Sequence, residues 1–270
     1  MSADAFFRMG AHHKVCQDYA VSGTWAGRPY AMVSDGCSSS PDTDFGSRFL
    51  TLAATRRLGR LVDGMIEARD VIVDAESMAR AVGIGQRSLD ATLLCAIGGG
   101  WGCRVVQSGD GVIAARRRDG SFVYYETAFD QGAPYYLSYL LDDGALAAYR
   151  RLVGSMTITQ REFLPDLGGW QPADRNTIPI GEFDAWRAFS FAAKTFDVVL
   201  LLSDGCQSFF SGVETVSLES VLEQVLALKG LSGEFVTRRC NAFLQRYCHE
   251  RGWKHGDDFS VAGIHLEETP

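Results

Sequence analysis

Two apolar runs in this chain lead into the same tripeptide. Tyr30-Ala31-Met32-Val33 precedes Ser34-Asp35-Gly36, and Val198-Val199-Leu200-Leu201-Leu202 precedes Ser203-Asp204-Gly205. Unbroken apolar runs of this length read as strands buried on both faces. A carboxylate at the mouth of such a strand costs several kcal/mol, roughly, unless a positive partner meets it. Asp18 follows a polar turn, Asp110 sits in Ser108-Gly109-Asp110-Gly111 after Val105-Val106, and Asp257-Asp258 precedes one more apolar stretch. Several aspartates that end buried strands require a fold that gathers those ends around a cation. Hard oxygen donors suit Mg2+ or Mn2+ rather than zinc. The pattern therefore points to a metal-dependent hydrolase.

Composition narrows the alternatives. The 270 residues carry a formal charge of -7, which argues against nucleic acid as a main partner. Arg116-Arg117-Arg118 is the one local basic run, readable as a basic patch or as a solvated hairpin arm. No apolar run behind basic residues marks a signal peptide, and no stretch approaches ~18 consecutive apolar residues, so no membrane partner is expected. The 7 cysteines are scattered, without metal-ligand spacing, which fits a reducing cytoplasm.

Along the chain, a polar turn holds residues 10–18, a short strand runs to Val21, and a hairpin through Gly23 and Gly27 enters the strand that ends at Asp35. A helix is expected from about Asp44 to Leu58, with Phe45, Phe49, Leu52 and Ala53 on one face. A weaker helical stretch covers Ala75 to Val82. Strands are expected at Ala91 to Ile97, Cys103 to Gln107, Gly111 to Arg116 and Ser121 to Tyr125, separated by glycine turns. Residues 131–184 read as an irregular, insertion-like region with a short helix to Leu152 and a Gly/Pro-rich loop from Pro165 to Pro179. Ser217 caps a helix carrying Leu218, Val221, Leu222, Val225 and Leu226, which ends at Lys229-Gly230. Val236, Cys240, Phe243, Leu244 and Tyr247 mark a further helix, and Phe259 to Leu266 a last strand. Strands flank blocks of helix without βαβ alternation, which gives an α+β fold: two packed antiparallel sheets, helices outside, in one domain over 1–270.

A lone Asp-Gly is usually a turn, and Asp63-Gly64, Asp119-Gly120 and Asp143-Gly144 are read that way. The repeated strand-Ser-Asp-Gly unit sets Asp35 and Asp204 apart. Two ions about 4 Å apart can activate a water for attack on phosphorus. No phosphate loop bearing a lysine is present, which disfavours nucleotide hydrolysis of the Walker type.

At these residues the chain resembles the metal-dependent Ser/Thr protein phosphatases of type 2C. Cys16-Gln17-Asp18-Tyr19 is similar to the family's first acidic motif. Ser34-Asp35-Gly36 with Phe45-Gly46-Ser47 is similar to its Asp-Gly motif and the helix that follows. Ala91-Thr92-Leu93-Leu94, Ser108-Gly109-Asp110-Gly111, Leu202-Ser203-Asp204-Gly205 and Asp257-Asp258-Phe259-Ser260-Val261 match four further motifs in order. The resemblance implies a central β-sandwich flanked by helices on both sides, in α-β-β-α layers, with a two-metal site at one end. It implies Mn2+- or Mg2+-dependent hydrolysis of phosphoserine and phosphothreonine on a protein substrate. Asp35 would bridge both ions, the Gly36 carbonyl would bind one, and Asp204 and Asp257 would hold the other. Asp18 would act through a bound water, Asp110 with Asp204 would make a weaker third site, and Asp258 would support the ligands.

The chain departs from that pattern in three places. His13, with His12 and Lys14 beside it, stands where members of the family carry a phosphate-binding arginine; either His13 or Lys14 is a candidate phosphate contact, or the segment is a surface turn. Cys37 follows Asp35-Gly36, where members carry His or Met. Ser208 stands where some carry another acidic ligand. Cys16, Cys37 and Cys206 abut metal motifs, as oxidation switches or as thiols that pack well at strand ends. The alternatives are a catalytically weak or inactive phosphatase-like binding module and a phosphoesterase for small molecules.

Overall fold

The computed structural model describes residues 1–268. Its strands are β1 (Ser2–Arg8), β2 (Tyr19–Trp25), β3 (Arg28–Ser34), β4 (Leu93–Gly99), β5 (Gly102–Ser108), β6 (Gly111–Arg117), β7 (Phe122–Phe129), β8 (Ser155–Leu164), β9 (Gly169–Trp170), β10 (Asp174–Pro179), β11 (Arg187–Ala192), β12 (Phe196–Leu202), β13 (Phe209–Ser211), β14 (Glu214–Thr215), β15 (Trp253–His255) and β16 (Phe259–His265). The principal helices are α1 (Thr43–Arg56), α2 (Leu58–Asp63), α3 (Ala68–Ala81), α4 (Asp143–Leu152), α5 (Leu218–Leu226) and α6 (Phe235–Ala242). One sheet runs β1-β16-β12-β6-β7-β8-β10, with β9 on β8; the second runs β11-β5-β4-β3-β2; β14-β13-β15 make a small third.

Alternation along the strands explains the layers. In β12, Val199 and Leu201 point inward with Ile113, Ala115, Ala262 and Ile264, against Ala31, Val33, Leu94 and Ala96 of the other sheet. Their neighbours Val198, Leu200 and Leu202 point outward onto Val221, Val225, Val236 and Phe243 of the C-terminal helices. Met32, Leu93 and Cys95 likewise face outward onto Leu50, Ala54, Val71 and Ile72 of α1 and α3. Both faces of each sheet centre are covered, so the strands need apolar residues at every position. The result is the antiparallel sandwich between helical layers that the sequence predicts.

Five local expectations differ. In α1 the inward face is Gly46, Leu50, Ala53 and Ala54, while Phe45 and Leu52 are each 47% exposed. Hydrophobic periodicity gives glycine no weight, yet Gly46 sets the contact: a Cβ there would lie 1.6 Å from the Ser88 carbonyl oxygen. α3 starts at Ala68 rather than Ala75, and α5 stops at Leu226 rather than at Lys229. Residues 131–184 are more regular than their composition suggests, holding α4, β8 and β10. Asp142 caps α4 by accepting from the amides of Gly144 (2.8 Å) and Ala145 (3.1 Å), so Asp143-Gly144 opens a helix and is not a turn. β10 is exposed at most positions and lies at the sheet edge, so it carries no alternating pattern to read.

The three arginines at the end of β6 are neither a free basic patch nor a solvated arm. Arg116 makes a two-pronged pair with Asp197 (3.0 and 2.8 Å), Arg117 reaches Glu162 at 2.6 Å, and Arg118 donates to the carbonyls of Ala193 and Leu266. No helix among the described residues is long and apolar enough to cross a membrane.

Candidate active site

Strand registers put the acidic motifs at one end of the sandwich. Tyr19 pairs with Ser34, so Asp18 and Asp35 leave neighbouring strands together. Leu93 pairs with Ser108, next to the turn that holds Asp110. Leu202 pairs with Val112 on one side and Val261 on the other, which brings Asp204 beside Asp110 and Asp257. Asp35, Gly36, Asp110, Asp204, Asp257 and His13 line one cavity of about 270 Å3. Asp18 lies behind it, 1% exposed.

The backbone around these carboxylates is clamped. The Asp35 amide donates to Thr92 Oγ1 (3.0 Å), the Thr92 amide donates to the Asp35 carbonyl (2.8 Å), and Ser34 Oγ donates to the Thr92 carbonyl (2.6 Å). A Cβ on Gly36 would meet Thr43 at 2.8 Å, so the close approach of the two segments there requires glycine. The Asp110 turn is held by buried Gln107, which donates to the Gly109 carbonyl (3.3 Å) and accepts from Thr127 Oγ1 (3.2 Å). Gly205 packs against the Asp258 carbonyl so tightly that a Cβ would lie 1.7 Å from the oxygen. Ser208 Oγ donates to the Gly205 carbonyl (2.8 Å) and accepts from the Asp257 amide (3.1 Å). Ser208 is thus a strut beneath Asp257. Its role, like that of Gln107, is invisible in sequence because it acts through hydrogen bonds between distant segments.

Asp258 organises the wall formed by residues 10–17. Its Oδ1 accepts from the Gly10 amide (2.8 Å) and its Oδ2 from the Gln17 amide (2.6 Å). His13 lies between the acidic pair, with Nε2 3.2 Å from Asp257 Oδ1 and Nδ1 3.0 Å from Asp258 Oδ2. The Nδ1 contact is poorly directed for a hydrogen bond, so charge is its main content. Burial alone would lower the His13 pKa, but the contact with Asp258 and the charges of Asp257 and Asp18 outweigh it and the pKa is raised. Lys14 lies on a neighbouring hollow with His12 and Val15.

The carboxylates strain one another electrostatically. Burial raises Asp18 to about 7; the hydroxyls of Ser260 and Ser203 offset part of this, while the charge of Asp204 adds to it. Neither hydroxyl is well directed, and Asp18 Oδ2 is buried without a hydrogen-bond partner. Burial, then the charges of Asp18 and Asp204, push Asp35 up. Burial and Asp204 raise Asp110 to about 8, and burial with Asp257 raises Asp204. Among the described residues none of Asp18, Asp35, Asp110 and Asp204 pairs with a lysine or arginine. An all-oxygen cluster with raised pKa values, an orphaned buried oxygen and no cationic side chain fits a hard divalent cation. Among the described residues no group of three or more His, Cys, Asp or Glu side chains is placed, as the side chains stand, to hold a metal ion.

The cysteines near the site divide. Burial, then the nearby charges of Asp258 and Asp18, push Cys16 up to about 12, and burial beside Asp204 raises Cys206. Burial would raise Cys37 too, but hydrogen bonding by Ser39, Tyr136 and Ser40 outweighs it and the pKa is lowered.

The sequence profile described as Protein phosphatase 2C matches residues 10–245, which include all the motifs at this site except Asp257-Asp258. The chain belongs to the protein phosphatase 2C family. Solved structures similar to this 2C-family chain include a bacterial serine phosphatase (TM-score 0.55, 12% identity, 99% of this chain and 98% of that one). The serine/threonine phosphatase Stp1 from Staphylococcus aureus aligns at TM-score 0.54 and 12% identity, over 98% of this chain and 94% of that one. The Ser-Thr phosphatase MsPP from Mycobacterium smegmatis, in complex with cacodylate, aligns at TM-score 0.50 and 14% identity, over 99% of each chain. At such identities the likeness establishes the fold. No curated protein matches the chain in sequence.

Proposed function

We propose that this chain is a Mn2+- or Mg2+-dependent phosphatase that hydrolyses phosphoserine and phosphothreonine on proteins. The observation that carries the reading is four aspartates, Asp35, Asp110, Asp204 and Asp257, lining one cavity with Asp18 buried behind them, and no lysine or arginine paired with any of them among the described residues. In this reading Asp35 and the Gly36 carbonyl are the central ligands, Asp204 and Asp257 the outer ones, and Asp18 acts from behind the cavity. Asp110, beside Asp204, is the donor for a weaker third site. Divalent cations held there supply Lewis acidity and an activated water for attack on phosphorus. The protein's own part is positioning: Thr92 fixes the Asp35 backbone, Gly205 and Ser208 fix Asp204 against Asp257, and Asp258 fixes the 10–17 wall. His13 is proposed chiefly to orient Asp257, since both its ring nitrogens face Asp257 and Asp258; as phosphate contacts, His13 and Lys14 beside it are the secondary candidates. Gly132, Pro134 and Tyr136 form the cavity's outer wall, which makes the 131–184 region the natural source of selectivity for a protein substrate.

One observation favours the weaker-module alternative: among the described residues, His13 is the only cationic residue lining the cavity. Hydrolysis of p-nitrophenyl phosphate and of a phosphoserine peptide, with and without Mn2+, separates the readings. The phosphatase reading expects Mn2+-dependent turnover of both, a higher kcat/KM for the peptide, and its loss in Asp35→Asn. Turnover that ignores Mn2+ or survives Asp35→Asn would refute it, and preference for the small ester would favour a small-molecule phosphoesterase.

A further inference from the structure

The cavity has two unlike walls. Asp35, Asp110, Asp204 and Asp257 make one acidic; Cys37, Ser38, Ser39 and Tyr136 make the other neutral and rich in hydroxyls. A phosphate dianion needs hydrogen-bond donors on the side away from the carboxylates. Among the described residues His13 is the one cationic residue lining the cavity, and its ring nitrogens face Asp257 and Asp258. Donors for phosphate must therefore come chiefly from the neutral wall.

Resting on the phosphatase reading, we propose that the Tyr136 hydroxyl is the phosphate-binding donor of this site, with the Ser38-Ser39 loop beside it. Tyr136 is held for the task. It immediately precedes the 3-10 turn Leu137–Leu141, and its ring packs on Tyr139 at 5.8 Å. Ser138 Oγ in that turn donates to Asp90 Oδ1 (2.6 Å), and Ser40 Oγ donates to Asp90 Oδ2 (2.7 Å). One carboxylate thus fixes the tyrosine segment and the serine loop relative to each other. The Cys37 amide donates to the Asp90 carbonyl (2.8 Å), which ties the same loop a second time. Tyr136 and Cys37 line the cavity together, and the interaction of the hydroxyl with the Cys37 sulfur is weak enough for a phosphoryl oxygen to replace it. Burial, and then Cys37, raise the phenol's pKa far above neutral, so the group stays a donor throughout the working range.

The test uses the full chain and Tyr136→Phe, which removes one oxygen and keeps the ring packing. Inorganic phosphate is titrated as an inhibitor of Mn2+-supported p-nitrophenyl phosphate hydrolysis, and Mn2+ binding is measured separately by calorimetry without substrate. Hydrogen bonds to charged groups are worth enough that a loss of roughly tenfold in phosphate inhibition and in kcat/KM is expected. Mn2+ affinity and melting temperature are expected to stay at the wild-type values. Unchanged phosphate inhibition in Tyr136→Phe would overturn the assignment, and a loss of about tenfold in His13→Gln beside it would move the donor role to His13. If wild-type protein shows no Mn2+-stimulated hydrolysis, the phosphatase reading falls and takes this assignment with it.

Discussion

Asp18→Asn isolates the electrostatic cost of assembling the acidic site. Asp18 is 1% exposed, one of its oxygens has no partner, and its pKa moves from 3.8 to about 7. At 1.36 kcal/mol per unit, that rise corresponds to about 4 kcal/mol of penalty to the cation-free folded state at neutral pH. The sign follows from the direction of the shift. The folded pKa lies above the unfolded one, so full stability is present below about pH 3.8 and is lost as pH rises to about 7, where the penalty levels off. Asparagine keeps the shape and one acceptor oxygen but cannot ionise. In EDTA, Asp18→Asn should therefore melt above wild type at pH 8, and the gap should narrow steadily toward pH 4. A shift of about 2–4 °C per kcal/mol applies to chains near this size. Relaxation around the carboxylate will absorb part of the 4 kcal/mol, so a gap of ~5 °C or more is expected at pH 8. Adding Mn2+ should narrow the gap, because a cation at 100 times its Kd returns about 2.7 kcal/mol to the wild-type site. Thermal melts from pH 4 to 8, with EDTA and with Mn2+, make the measurement. A wild-type protein as stable as Asp18→Asn at pH 8 in EDTA would refute the reasoning, since the aspartate would then carry no uncompensated charge.

Two further substitutions probe the scaffold and the third site. Gly205→Ala places a methyl 1.7 Å from the Asp258 carbonyl oxygen, so the Asp204 and Asp258 segments must part; overpacking of this kind costs about 1–3 kcal/mol, and calorimetry should show Mn2+ affinity falling with the melting temperature. Asp110→Asn should stabilise the EDTA-treated protein as pH rises toward about 8, by the same sign argument as for Asp18. It should reduce kcat/KM by less than about tenfold, or 1.4 kcal/mol, if Asp110 serves only a weaker third ion; a complete loss in steady-state assays would place Asp110 in the central pair.

How much of this was legible in the sequence depends on what kind of interaction each residue makes. The sandwich was legible because β3 and β12 are buried on both faces and must be apolar at every position. The acidic motifs were legible because the strand-Ser-Asp-Gly unit repeats at Asp35 and Asp204, which an ordinary Asp-Gly turn does not explain. The inward face of α1 was not, because Gly46 acts by having no side chain and apolar periodicity favoured Phe45 and Leu52. The regularity of 131–184 was hidden by the polar, exposed β10 at a sheet edge. The supports of the site were hidden for a third reason. Asp258, Ser208, Gln107 and Asp90 act by bonding segments far apart in sequence: Asp258 to Gly10 across 248 positions, Asp90 to Ser138 across 48. Such residues leave no local spacing to read, yet they decide whether the strand-end aspartates converge. The same separation gives the site its division of labour. Strand ends with apolar backs supply the ligands, while loops tied by Asp90 and Asp258 supply the wall that faces substrate. Loop residues such as Tyr136 and His13 can therefore change with the substrate while the strand-end aspartates stay where the sandwich puts them.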